Sequence, residues 1–350
     1  MSEEILTQRD PQEEKYMGYC HGTGKERYLA QLQTREQPVS TGFPVFDDYL
    51  AGGLRRGLYV LGAVTSLGKT TFAVQLMANL AKQGYDCLYI SLEMASTDII
   101  TRNLSRDIFM NRYDFATKDI IKLDYALSEI TIEESMTLTD RQNKYIEDAA
   151  NNYFDGYGKH IYVMTGEHVQ TVAGIDDLVK SHITYTGRKP IVFVDYMQIL
   201  RPDSEILSDK QTMDRVVIGL KDISRKYSLP LIAISSIGRQ AYNIPIDFKA
   251  FKESGLIEFH ADYVLGLQYQ GVGEKNFDYE QAKAKTPREI ELKILKARRS
   301  KAGETIPLTY YSMVNAYYDS KLIEPFTGKA VRVDNSIPTH SPALIKRLLE

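Results

Sequence analysis

A chain of 350 residues with 43% hydrophobic content has room for one large α/β domain or two small ones, and one large domain with peripheral arms is the expected organisation. Its formal charge of -3 and pI near 6.1 exclude a protein that coats nucleic acid through bulk charge, so any grip on phosphates must come from placed residues. Two cysteines and six histidines lack metal-type spacing, no apolar run reaches membrane-spanning length, and Met1-Ser-Glu-Glu lacks a signal peptide's basic start. A reducing cytoplasm without membrane attachment is the expected setting.

Residues 1–36 are polar and charged and read as an arm or linker, either packed on a neighbouring copy or a disordered leader. Phe46, Leu50 and Leu54 then mark a short amphipathic helix closed by glycines. The stretch Leu58–Leu80 is the centre of the chain. Leu58-Tyr-Val-Leu61 reads as a buried strand, Phe72, Leu76, Met77 and Leu80 recur at helical spacing, and Ala63-Val-Thr-Ser-Leu-Gly68-Lys69-Thr70 lies between them as a P-loop with Ala63 in place of the first glycine. Thr65, Ser66, Leu67, Gly68, Lys69, Thr70 and Thr71 are the expected nucleotide contacts: backbone amides around phosphate oxygens, Lys69 on the β and γ oxygens, and the Thr70 hydroxyl on Mg²⁺. A plain glycine-containing turn is the alternative.

Asp86–Leu92 reads as a second buried strand with Glu93 at its C-terminal end, where a carboxylate either orients an attacking water or simply opens the next helix. Residues 99–153 alternate helical patterns with polar joints and suggest a peripheral helical layer; Asp155–Gly158 reads as a turn, His160–Thr165 as a strand and Val172–Tyr185 as a helix ended by Gly187. Pro190–Asp195 is an apolar strand closing on an acid, so Asp195 is the expected partner of Thr70 at Mg²⁺. Arg201–Asp214 reads as a loop, Val216–Tyr227 as a helix, and Leu229–Ser236 as a strand whose tip, Ser236, is expected to sense phosphate. A long irregular segment follows, then a strand over Ala261–Leu267, the polar stretch 270–288, and a hairpin of Glu289–Lys296 with Thr305–Tyr311. Five basic residues between Lys293 and Lys301 sit on that hairpin's turn, either as a solvated edge or as a reach towards phosphates. The tail 321–350 ends in a basic-apolar stretch that is either a docking helix or a frayed terminus.

Five anchors, Ser66–Phe72, Ser91–Met94, Asp195–Leu200, Lys252–Gly255 and Lys296–Arg298, occur in an order that resembles the C-terminal RecA-like ATPase domain of DnaB-type replicative helicases, particularly phage and mobile-element versions. The resemblance implies an α/β RecA-like P-loop NTPase, with a mostly parallel central sheet flanked by helices, over residues 37–320. It implies ATP and Mg²⁺ as cofactors, Glu93 as the water-activating glutamate, and Lys296 with Arg298 as a finger pair entering a neighbour's site. Lys252, Glu253 and Gly255 resemble the loop that follows single-stranded DNA in a hexameric ring moving 5′ to 3′, with a primase or loader as further partner. Three departures stand out: Ser236 replaces the family's usual glutamine, Lys252 its usual arginine, and the family's N-terminal domain of roughly 150 residues does not fit in the 36 preceding the core. A recombinase or clock-type ATPase, an ATP-binding adaptor that unwinds nothing, and the motor portion of a split primase–helicase stand beside the helicase reading.

Overall fold

Apolar runs such as Ile191–Val194 and Leu231–Ile234 are buried on both faces, the pattern of strands in a parallel sheet covered by helices. The computed structural model describes residues 37–319 except Thr65, 112–126, 129–131, 134–137, 202–207, 239–241 and 252–254, together with residues 25, 28 and 29. The chain divides into two units, residues 38–333 and the terminal stretches 1–37 with 334–350; the fold belongs to the first. The arm expected over residues 1–36 and the tail over 321–350 lie outside the described residues, isolated positions 25, 28 and 29 apart.

The elements in chain order are α1 (Pro44–Tyr49), β1 (Gly57–Ala63), α2 (Lys69–Lys82), β2 (Cys87–Ser91), α3 (Ser96–Met110), α4 (Asp140–Asn151), β3 (Ile161–Thr165), α5 (Val172–Thr186) and β4 (Ile191–Asp195). Then come α6 (Asp209–Tyr227), β5 (Pro230–Ser236), α7 (Leu256–His260), β6 (Tyr263–Tyr269), α8 (Tyr279–Ala284), β7 (Arg288–Ala297), β8 (Thr305–Tyr311) and β9 (Ala316–Asp319). Among the described residues they form a nine-stranded sheet of order β3-β2-β4-β5-β1-β6-β7-β8-β9. Neighbours from β3 to β6 run parallel, and β7, β8 and β9 continue antiparallel. The carboxyl ends of β1, β2, β4 and β5 therefore share one edge, which is where ligands bind in open α/β sheets.

Helix α2 is buried continuously from Thr71 to Ala81 and runs through the core. Its two buried amides are satisfied by backbone: Gln75 exchanges hydrogen bonds with the Tyr317 carbonyl (2.8 Å) and N–H (2.7 Å), and Asn79 donates to the Thr41 carbonyl (3.0 Å). The P-loop helix is thus tied to β9, an element too short for periodicity to reveal.

Two local readings need correction. Helix α6 starts at Asp209 rather than after Asp214, because Ser208 accepts from the Gln211 N–H (3.3 Å) while the Gln211 side chain accepts from the Ser208 N–H (3.1 Å) in a capping box. The stretch expected as a turn at Asp155–Gly158 is helical, a π-turn over Asn152–Gly156 and a 3₁₀ turn over Tyr157–His160, held by Tyr153 against Tyr157 and by the Tyr157 hydroxyl on Asp107 (2.7 Å). The polar stretch 270–288 also holds the short helix α8.

Candidate active site

Strand β1 ends at Ala63, so the residue replacing the pattern's first glycine is extended strand and a methyl there meets no conformational cost. The curl comes later, where Ser66 (φ 67°) and Gly68 (φ 74°) adopt left-handed backbone. Gly68 is the glycine that matters: a Cβ there would lie 2.7 Å from the Tyr310 ring. From behind, the Arg288 guanidinium donates to the Ser66 carbonyl (3.1 Å) and the Tyr317 hydroxyl donates to the Leu67 carbonyl. Phe72 N–H makes the first helical bond, to Gly68 (2.8 Å), so the amides of Lys69, Thr70 and Thr71 have no acceptor within the helix and add their partial charge to the dipole of a 14-residue helix. The Thr71 side chain does not join this surface; its hydroxyl is buried between Asn315 (3.4 Å) and Tyr310 (3.5 Å), leaving only its backbone to a ligand. Thr65 lies outside the described residues. Gly68→Ala combines positive φ with the Tyr310 contact, so we expect about 1–3 kcal/mol lost in thermal unfolding, together with weakened nucleotide binding.

Asp195 closes β4 in register with Ser91 of β2, and the Leu92 N–H donates to its carbonyl (2.7 Å), which brings Glu93 out beside it on an exposed corner. The Tyr89 hydroxyl donates to Asp195 Oδ2 (2.8 Å), whereas Oδ1 is buried with no hydrogen-bond partner among the described residues. Burial raises the carboxyl above its ordinary range; Tyr89, the Thr70 hydroxyl and the Lys69 charge pull it back, and Glu93 adds to the rise. A buried, half-satisfied carboxylate beside a threonine hydroxyl fits a divalent cation: these are the hard oxygen donors, few in number, that Mg²⁺ takes. The Lys69 ammonium rests 5.5 Å from the centre of the Tyr196 ring.

At the tip of β5 the Gln198 side chain accepts from the Ser236 N–H (3.2 Å) and donates to the Ser236 carbonyl (3.2 Å) and the Ser235 hydroxyl (2.9 Å). Gln198 and Tyr196 lie within the anchor Asp195–Leu200, yet neither they nor Tyr89 are among the site residues expected from the sequence. The available signal was a side-chain amide three residues beyond the acid. Gln198→Ala removes all three bonds and frees the strand tip, and a loss in kcat of about tenfold or more at preserved fold is expected in steady-state hydrolysis.

Lys296 and Arg298 are not part of this constellation. In the sheet Tyr263 pairs with Tyr59 and with Ala297, the Asp262 N–H donates to Leu58 (2.9 Å), and the Arg298 N–H donates to Asp262 (3.0 Å). Arg298 therefore stands level with Leu58, five residues before Ala63, which is roughly 16 Å along the strand from the P-loop edge. Both side chains turn to the end of α7: Lys296 donates to the carbonyls of Glu258 and Phe259, and Arg298 donates to Phe259 (3.3 Å) and pairs with Asp262 (3.5 Å). Burial, then the Arg298 charge, lowers the Lys296 pKa. Gly255 precedes α7 with φ -60° and open space where a Cβ would stand, so neither backbone nor packing requires glycine there. Lys252 and Glu253 lie outside the described residues.

The strand order, the loop between β1 and α2 and the acid closing β4 define a RecA-like P-loop nucleotide-binding domain. Residues 38–319 match the DnaB-like helicase C-terminal domain family, and the chain belongs to that family. Among curated relatives it is 25% identical over 246 residues to the probable replicative DNA helicase of Trieres chinensis, covering 68% of this chain and 49% of that protein. It is 28% identical over 249 residues to the replicative DNA helicase DnaB of Pasteurella multocida, with 68% and 48% covered. The chain spans about half the length of the curated relatives it matches. Solved structures that share the fold include one described as an ATPase domain (20% identical, TM-score 0.65, 85% of this chain and 98% of that one) and a DnaB-like replicative helicase described with its interactions with primase (19%, 0.67, 84% and 65%). Among the described residues no helix is long and apolar enough to cross a membrane.

Proposed function

We propose that the chain is an ATP-hydrolysing motor that moves 5′ to 3′ on single-stranded DNA and unwinds duplex during replication, working in the cytoplasm as a ring of identical copies, six in number. The motor occupies residues 37–320, flanked by an arm or linker over 1–36 and a tail over 321–350. The observation that carries the reading is the placement of Lys296 and Arg298, cations at the edge opposite their own P-loop and so available to a neighbouring copy's nucleotide.

The P-loop amides and the start of α2 hold the phosphates, and Lys69 neutralises the β and γ oxygens. Thr70 and Asp195 would hold Mg²⁺, which when bound offsets phosphate charge as the γ-phosphate leaves. Glu93, exposed at the corner beside Asp195, orients the attacking water. Gln198 fixes the β5 tip against which the γ-phosphate is sensed at Ser236. Arg298 and Lys296 of the next copy complete the charge around the transition state, so a monomer hydrolyses poorly. Lys252, Glu253 and Gly255 form the channel loop that follows the DNA backbone, and a primase or loader is the expected partner of the ring.

Strand displacement on forked DNA tests this reading. ATP- and Mg²⁺-dependent release from a substrate with a 5′ single-stranded tail, and none from one with only a 3′ tail, is the expected result. Hydrolysis without release from either fork would remove the unwinding function.

A further inference from the structure

The Asp262 carboxylate, with a side chain only 12% exposed, sits where three elements meet. Its Oδ2 accepts from the Leu58 N–H at the start of β1 (2.8 Å) and from the Lys221 ammonium on α6, while Oδ1 faces the Arg298 guanidinium at 3.5 Å. Its backbone also receives the Arg298 N–H (3.0 Å). The fit is close, since Gly57 has no room for a Cβ against this carboxylate (2.8 Å). A second hold on Arg298 among the described residues is the Phe259 carbonyl at the end of α7, so the guanidinium fork spans a carboxylate on one side and a helix C-terminus on the other. Arg298 itself is half exposed, a long side chain with several rotors, and a carboxylate at its guanidinium end removes much of that freedom.

We infer that Asp262 is a positioning residue for the hydrolysis reaction: it aims Arg298 out of its own subunit towards the phosphates of a neighbour, and Lys221 limits how tightly the carboxylate holds it. The inference rests on the proposed role of Arg298 as a finger acting in trans. Asp262 touches no nucleotide in this arrangement. Its effect passes entirely through the geometry of Arg298, and so it appears at the neighbouring subunit's site and not at its own.

The test compares Asp262→Asn with Arg298→Ala in steady-state ATP hydrolysis on the assembled protein. Asparagine keeps an acceptor for the Leu58 N–H and loses the charge that aims the guanidinium. We expect kcat to fall by about tenfold or more with KM for ATP unchanged. Mixing with Lys69→Ala subunits, which are inactive themselves but present an intact finger, restores turnover at the Asp262→Asn subunits' own sites. Lys221 loses its counter-charge in the single variant, so Asp262→Asn combined with Lys221→Met serves as a second variant that folds without an unpaired buried ammonium and shows the same defect and the same rescue. Turnover within twofold of the parent for either folded variant, while Arg298→Ala is inactive, overturns the inference and leaves the finger standing. A loss that Lys69→Ala subunits do not rescue also overturns it, because the defect then lies within the mutated subunit. Full turnover in Arg298→Ala removes the finger and the inference with it.

Discussion

Lys69→Ala is expected to reduce ATP hydrolysis to background, a loss of about 10²–10³-fold or more, without loss of the folded state. Lys69 is the first residue of α2, its ammonium lies 5.5 Å from the Tyr196 ring, and that ring belongs to the segment following Asp195. The charge is thus positioned between the helix start and the candidate cation site, where a phosphate chain would pass. No salt bridge between Lys69 and an acidic side chain is present among the described residues, so alanine removes little that stabilises the native state. The check is steady-state hydrolysis combined with thermal unfolding: unchanged melting with absent turnover is the expected pair. Full activity would remove the nucleotide site from this loop.

Arg298→Ala separates binding from turnover. Among the described residues its polar side-chain contacts are at the end of α7 and at Asp262, roughly 16 Å along the strand from the P-loop edge, so its own subunit's nucleotide affinity is expected to change by no more than about twofold. Turnover falls by about 10³–10⁵, the range in which a finger supplied across an interface acts on phosphoryl transfer. Equilibrium binding of a fluorescent ATP analogue and single-turnover hydrolysis read the two quantities separately. Arg298→Lys is expected not to rescue, because a point-charge ammonium lacks the two separate terminal nitrogens with which the planar guanidinium meets Asp262 (Nη1) and the Phe259 carbonyl (Nη2) in a fixed fork.

Much of this architecture is legible in the sequence, for reasons that differ by element. Strands β1, β2, β4 and β5 are buried on both faces, so apart from the serines and the aspartate at their carboxyl ends they are apolar and announce themselves without alignment. Helix α5 ends where Gly187 takes left-handed backbone, a stop written in a single residue. Gly68 and Lys69 are likewise local, since loop curvature and phosphate charge are demanded within a few positions. What escaped depends on distant pairing. β9 is four residues long and is held by Gln75 from a helix some 240 positions earlier. Thr71 looked like a phosphate ligand because its neighbours do, yet its hydroxyl is turned inward by Tyr310 and Asn315 on the last strands. Serine at position 236 suggested an altered phosphate sensor, and although Gln198 stood three residues beyond the acid, only the pairing of β4 with β5 brings its amide against the same strand tip. Asp262 is similar: before the fold is known it is one acid near the start of an apolar strand, and only the meeting of β1, α6 and the end of β7 gives it Arg298 as a partner.

In the proposed motor the hydrolytic site is shared between two copies of the chain. Mixing Arg298→Ala with Glu93→Ala subunits and measuring ATP hydrolysis tests it most directly. Each variant alone lacks one component at every site, whereas a mixed ring contains interfaces where an intact Glu93 meets an intact Arg298. Turnover in the mixture well above both parents, with a maximum near equal proportions, is the predicted result. A mixture as inactive as its parents, in assemblies shown by light scattering to have exchanged subunits, would contradict it.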